Sequence, residues 1–132
     1  VRFYNDSIAS SPSRTISGLR SFPQKVILIA GGYDKHIPYD VLGPEICAHV
    51  KHLILTGDTA EKIRCAVVDC PEYREGHPEM ELVEDFAQAV HRAAAAARRG
   101  DVVLLSPASA SFDRFKNFEV RGNYFKQLVM EL

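Results

Sequence analysis

Three short stretches hold most of the side chains that could do chemistry. The longest is Ser106-Pro107-Ala108-Ser109-Ala110-Ser111-Phe112-Asp113-Arg114-Phe115-Lys116-Asn117-Phe118, placed between the apolar, β-branched run 101–105 and a helical pattern over 119–130. Serine hydroxyls and backbone N–H groups at a strand-to-helix turn form an anion site. The second stretch is Gly31-Gly32-Tyr33-Asp34-Lys35, directly after the apolar run 25–30. Paired glycines there allow positive φ or close approach of the backbone to a ligand. The third is Asn5-Asp6-Ser7-Ile8-Ala9-Ser10-Ser11-Pro12, after an alternating N-terminal run. Together they supply a carboxylate, a lysine, several hydroxyls and aromatic rings, a set that suits an anionic, partly apolar small molecule. Each part also has a plain structural reading. Asp6 suits an Asx turn, Lys35 a solvated cation, the serines helix caps, and Phe112 and Phe118 the core, where Phe115 is expected.

Other chemistries lack their signatures. There is no Gly-x-Ser-x-Gly elbow and no Gly-Lys-Ser/Thr phosphate loop, and Gly31-Gly32 lacks the third glycine of a dinucleotide fingerprint. His36, His49, His52, His77 and His91 show no ligand spacing, so no metal site is expected from this chain alone.

The elements that must position these stretches alternate. Residues 1–4 read as a first strand, and a helix from Pro12-Ser13 carries Ile16 and Leu19 inward and stops before Pro23. The run 25–30 is apolar from Val26 onward, as a parallel strand covered on both faces should be. Pro38 is expected to open the next helix, with Val41, Leu42, Ile46 and Cys47 buried and Gly43-Pro44 able to break it in two. A third strand covers 52–57, and Asp58 or Thr59 caps a helix to about Val68. Residues 70–79 form a polar loop and 80–83 a short strand. A long helix follows over 84–99, with its alanines against the sheet and a basic last turn before Gly100. Strict alternation predicts an α/β fold, a Rossmann-like three-layer domain with a mostly parallel sheet and right-handed crossovers. All three chemical stretches then fall at the carboxyl edge of that sheet, where open parallel sheets bind ligands.

Bulk properties set the outer bounds. The 132 residues make one domain, for which roughly two thirds of the unfolded surface can be buried. Hydrophobic residues are 46%, charged residues 25%, and the net charge is -1, which gives no electrostatic case for nucleic acid or an anionic membrane. No apolar run approaches the roughly 18 residues of a membrane span. Cys47, Cys65 and Cys70 are odd in number and not spaced for a metal, which predicts free thiols in a reducing, cytoplasmic setting. With Val1 opening directly on a strand, residues 1–132 are expected to be a domain cut from a longer protein.

The run Leu105 to Gly122, written Leu-Ser-Pro-Ala-x-Ala-Ser-x-Asp-x-Phe-x-x-Phe-x-x-Arg-Gly, closely resembles the last motif of the Mur ligases, and among them the members that add D-glutamate. Residues 5–12 resemble the Asp-Ser-Lys-Ala-Thr-Asn opening of that family's C-terminal domain, and 31–35 its Gly-Gly-x-x-Lys/Arg loop, so the resemblance covers nearly the whole chain. It implies the C-terminal domain of a three-domain, ATP-dependent amide-forming ligase of peptidoglycan synthesis. In that reaction ATP phosphorylates the carboxylate of UDP-N-acetylmuramoyl-L-alanine, and the amine of D-glutamate attacks the acyl phosphate. By the resemblance, Asp6 touches the ATP ribose, and Ser10 and Lys35 hold the side-chain carboxylate of D-glutamate. Ser111 and the backbone at Phe118 hold its α-carboxylate, and Phe112 stands where the family often has leucine or tryptophan. No catalytic residue is expected here. The phosphate loop and the ligands for Mg2+ belong to a central domain, and UDP binding to an N-terminal one, so this chain alone should be inactive. Ile8 departs from the pattern, since the family has lysine there. Two other readings are a non-catalytic α/β module binding a small anion or nucleotide, and the same domain of another amino-acid ligase, such as the folate polyglutamate type.

Overall fold

A computed structural model describes residues 1–111 and 114–132. Strands and helices alternate along the chain: β1 (Arg2–Asn5), α1 (Pro12–Arg20), β2 (Val26–Ala30), α2 (Leu42–His49), β3 (Val50–Leu55), α3 (Ala60–Val68), β4 (Glu79–Leu82), α4 (Phe86–Ala96), β5 (Val102–Leu105) and α5 (Phe118–Met130). The five strands form one sheet in the order β1-β5-β2-β3-β4, and every pairing is parallel. This is the Rossmann-like α/β architecture that the alternation predicts.

The period of a strand sorts the core into two layers. Val26, Leu28 and Ala30 of β2 pack with Leu19 of α1, Leu42 and Ile46 of α2, and Ile63 and Val67 of α3. Ile27 and Ile29, one residue out of phase, pack with Phe86, Val90 and Ala93 of α4 and Phe125 and Leu128 of α5. Both central strands, β2 and β5, are therefore buried along their whole length. Each fully buried Leu or Ile contributes about 1.5–3 kcal/mol. Ala89 and Ala93 are fully buried against this second layer, which explains the alanine-rich helix as a close helix–sheet contact. No described helix is long and apolar enough to cross a membrane.

Several boundaries differ from the sequence reading. Pro38 does not open α2, which begins at Leu42, and Val41 is its exposed N-cap (63%) rather than core. Gly43-Pro44 does not break that helix. Pro44 sits in the first turn, where the backbone N–H has no intrahelical acceptor to lose. Gly43 instead lets α2 lie against α3, since a Cβ there would stand 2.2 Å from the Ala66 carbonyl oxygen. Helix α4 ends at Ala96, so Arg98 and Arg99 are not its last turn.

The reason is the Asp101 side chain. Its carboxylate accepts the Arg98 N–H (2.8 Å) and the Lys51 ammonium (2.9 Å), closing a turn that delivers the chain into β5. Burial alone would raise this carboxyl. The Arg98 N–H and then Lys51 more than reverse that, and leave it below the usual carboxylate range. Lys51 is 42% exposed and its share is screened, so most of the effect rests on the Arg98 bond. Asp101→Ala is expected to cost about 1–3 kcal/mol in urea denaturation at neutral pH. Because the folded value is depressed, this stabilisation is present above the unfolded carboxyl's roughly 3.9 and fades as pH falls through the folded value. The gap between wild type and variant should therefore close in acid.

Candidate functional site

The topology opens a crevice beside β5. Strands β1 and β2 send the chain to α1 and α2 on one face, whereas β5, lying between them, sends it to α5 on the other. Ligands of open α/β sheets bind at such a switch point, outside the carboxyl ends of the strands. The three chemical stretches meet there and are laced by backbone hydrogen bonds. The Asp6 N–H donates to Leu105 O (2.8 Å), Ala108 N–H to Ala9 O (2.9 Å), Gly31 N–H to Pro107 O (2.9 Å) and Tyr33 N–H to Ala110 O (2.8 Å).

Close approach of the loops depends on missing side chains. Gly31 has φ +106°, and a Cβ there would lie 1.9 Å from Thr56 O. Gly57, at φ +79°, lies over Gly32, where an added Cβ would stand 2.8 Å from the Gly32 Cα. The Gly-Gly pair is thus a structural fitting between the β2 and β3 loops. Thr59 is the N-cap residue of α3, but its side chain makes no cap bond. Its hydroxyl accepts the Gly32 N–H (3.0 Å) and shares a proton with Ser109 Oγ (2.8 Å). Ser109 also meets the Tyr39 hydroxyl (2.9 Å), which is placed to donate to Ala108 O (3.0 Å). That buried chain of hydroxyls holds Ala108 at φ +56° and fixes the turn after β5. Two serines of the motif, Ser106 and Ser109, are therefore fully buried framework.

Arg121 is a further candidate, to which the motif in the sequence gave no role. It is 2% exposed, yet carries a guanidinium. Its Nε donates to Ser7 Oγ (2.9 Å), Nη1 to Ser109 O (2.9 Å) and Nη2 to Ser7 O (2.6 Å). The Ser7 hydroxyl in turn donates a hydrogen bond to Phe118 O (2.7 Å). No carboxylate pairs with Arg121 among the described residues. Burial pushes the guanidinium down to about 10, which still leaves it charged at neutral pH. A buried cation satisfied only by neutral acceptors throws a positive potential into the crevice. The signal was present in the sequence: Arg121, Phe125 and Leu128 share one helical face, where an apolar residue would be expected at the first position.

The expected site residues take these places. Asp6 accepts a bond from Ser106 Oγ (2.7 Å) through one carboxylate oxygen, on the β1 side of the edge. Ser10 is half-buried, its hydroxyl turned to Ile8 O at 3.4 Å. Lys35 is exposed and makes no ion pair or hydrogen bond among the described residues. Its neighbour Asp34 is already taken by Lys62 (2.7 Å) and the His36 N–H (2.7 Å), which hold that carboxyl below the usual range. Ser111 is nearly buried and lines a small pocket with Gly31, Gly32, Phe115 and Arg121. Phe118 is the first residue of α5, so its N–H has no intrahelical acceptor. Asn117 caps that helix by accepting the Val120 N–H (2.9 Å). Phe112 lies outside the described residues. Phe115 packs edge-on against Phe86 (5.2 Å), as a core ring. Ser111 and Arg121 thus share one pocket, while Asp6 lines a different one, beside α1.

The fold and this edge define a class: a three-layer α/β domain whose interlocked strand-end loops gather serines, glycines and a buried arginine at one sheet edge. Residues 1–109 match the family model described as "Mur ligase, glutamate ligase domain", and the chain belongs to that family. Among individual proteins, it is 58% identical over 131 residues to the UDP-N-acetylmuramoylalanine--D-glutamate ligase of Acetivibrio thermocellus, an alignment covering 98% of this chain and 28% of that enzyme. It is 52% identical over 132 residues to the enzyme of the same name from Clostridium novyi, covering all of this chain and 29% of the relative. The Clostridium botulinum enzyme of that name is 52% identical over the same coverage. The chain therefore spans less than a third of the length of these curated relatives.

Proposed function

We propose that this chain is the amino-acid-binding, closing domain of an ATP-dependent ligase that joins D-glutamate to UDP-N-acetylmuramoyl-L-alanine in peptidoglycan synthesis. The observation that carries this reading is that the loops bearing Lys35 and Ser111 interlock at one sheet edge over the buried Arg121 cation, with Lys35 in no ion pair or hydrogen bond among the described residues. The names of the relatives supply the substrate class. D-Glutamate carries two carboxylates, and this reading assigns a set of donors to each. In this proposal Lys35 and Ser10 take the side-chain carboxylate. Ser111 Oγ and the Phe118 N–H take the α-carboxylate, aided by the N-terminus of α5. Arg121 touches no substrate and acts as a positioning residue, holding the Ser7 and Ser109 backbones in register.

Holding both carboxylates aims the amine at the activated carbonyl carbon, and such positioning is worth several kcal/mol of barrier. Closure of the edge over the reacting groups excludes water that would hydrolyse the activated substrate. ATP would supply the activation. Asp6 suits its ribose, because one carboxylate oxygen is fixed by Ser106 and the residue lines an open pocket. Among the described residues no group of three or more His, Cys, Asp or Glu could hold a metal ion, so these side chains are given no part in binding Mg2+.

The test is direct. The full-length protein should form the amide product from ATP, UDP-N-acetylmuramoyl-L-alanine and D-glutamate, with product strictly dependent on D-glutamate. The 132-residue chain alone should turn over no ATP. Product that forms equally well with another amino acid would contradict the reading.

A further inference from the structure

We propose that Cys47 and Cys70 are a redox-sensitive pair that closes to an intramolecular disulfide and ties α2 to the turn after α3. Cys47 lies in the last turn of α2, and Cys70 follows Asp69, the C-cap of α3. Their sulfurs stand 3.4 Å apart, both residues are half-buried, and both thiols are free. The backbones are held together by an independent feature. Gly43 lets α2 come so near that a Cβ there would lie 2.2 Å from Ala66 O and 3.4 Å from the Cys70 Cβ. Closing the sulfurs from 3.4 Å to a bond of about 2.05 Å needs small side-chain rotations and no rearrangement of helices. The pair does not read as a metal centre, since no cluster of three or more ligating side chains exists among the described residues.

The oxidant required is a small-molecule disulfide such as glutathione disulfide. Cys70 lines the open groove between residues 36–40 and α3, whereas Cys47 does not, so Cys70 meets the oxidant first. Its thiolate attacks one sulfur of the oxidant, forms a mixed disulfide and expels one small thiolate. Cys47 then loses its proton to solvent base and attacks the Cys70 sulfur, expelling the second thiolate. The protein gives up two protons and two electrons, and the oxidant becomes two thiols. Burial and the adjacent Cys70 push the Cys47 thiol up to about 12, which agrees with its acting second, once Cys70 is already oxidised.

Cys65 is an internal control. It also lines the groove, but its sulfur points to Glu61 (3.9 Å) and Arg64 (3.8 Å) on its own helix. The experiment incubates the wild-type full-length protein with glutathione disulfide, blocks free thiols and maps tryptic peptides. Lys51, Lys62 and Arg64 guarantee cleavage between the two cysteines. The expected result is a linked pair of peptides carrying Cys47 and Cys70, lighter by two hydrogen atoms and reversed by excess thiol. Cys65→Ser should leave the linkage intact and Cys70→Ser should abolish it. The oxidised protein should melt about 10 °C higher, as a tether closing a loop of this length raises stability. A stable glutathione adduct on Cys70, linkage through Cys65, or two unmodified thiols would overturn the proposal. So would a Cys47–Cys70 bridge that leaves the melting temperature unchanged, because no tether would have been gained.

Discussion

Arg121→Ala should destabilise the fold by about 3–5 kcal/mol in chemical denaturation, and in the full-length protein it should abolish D-glutamate use. The side chain is almost wholly buried, and its removal leaves a cavity that the surrounding loops cannot close without moving. It also strands Ser7 O and Ser109 O, whose bonds at 2.6 and 2.9 Å tie the β1 loop and the β5 loop to α5. A buried acceptor left without its donor costs about 1–3 kcal/mol. Arg121→Lys keeps the charge but has no planar fork, and one ammonium cannot reach Ser7 and Ser109 in the same geometry. It should recover part of the stability and little of the activity. Stability of Arg121→Ala within about 1 kcal/mol of wild type would show that the guanidinium is not the clamp described.

Gly31→Ala is the second large effect, again about 3–5 kcal/mol or failure to accumulate as folded protein. Two penalties coincide. The backbone at φ +106° is one that L side chains rarely adopt, and the new Cβ would stand 1.9 Å from Thr56 O, a rigid backbone atom. Relief requires the β2 and β3 loops to part, which breaks the bonds from Thr56 N–H to Ala30 O and from Gly32 N–H to Thr59 Oγ1. Gly100→Ala separates the two penalties. Gly100 has φ +88° but nothing within 4 Å of an added Cβ, so only the backbone cost of about 1–2 kcal/mol should appear. Equal losses at the two positions would mean that steric contact with Thr56 contributes nothing.

The layers of this fold were legible because its strands are uniformly apolar and its helices are punctuated by serine, asparagine, aspartate and proline. Ser11, Asp85 and Asn117 stand at N-caps, and Pro12 follows at N1. What misled the reading was side-chain chemistry that acts across the fold. Thr59 stands at the N-cap of α3, yet its hydroxyl is bonded to Gly32 and Ser109 and not to the helix. Arg98 and Arg99 look like a helix C-terminus, but Asp101 accepts the Arg98 N–H and turns the chain early. Val41 fits an apolar stripe, yet the stripe starts one residue later, at Leu42. The loops of the site were found from their composition and order. The division of labour among their serines was not, because only packing shows that Ser106 and Ser109 are framework while Ser111 lines the pocket beside Arg121. The charge of that pocket was hidden for the same reason. An arginine on a helix is usually solvated, and only its place on the face of Phe125 and Leu128 marks this one as buried.

The central claim is that this edge holds D-glutamate, and Lys35 tests it most directly because the residue supports no other part of the fold. Steady-state kinetics of the full-length Lys35→Ala protein, with D-glutamate and ATP varied separately, should show a loss of about ten- to a hundredfold in kcat/KM for D-glutamate. That range corresponds to a charge-assisted hydrogen bond of about 1.5–3 kcal/mol. The KM for ATP should change little, and Lys35→Arg should be milder without being silent. Unchanged kcat and KM for D-glutamate in Lys35→Ala would contradict the account and return Lys35 to the solvated surface.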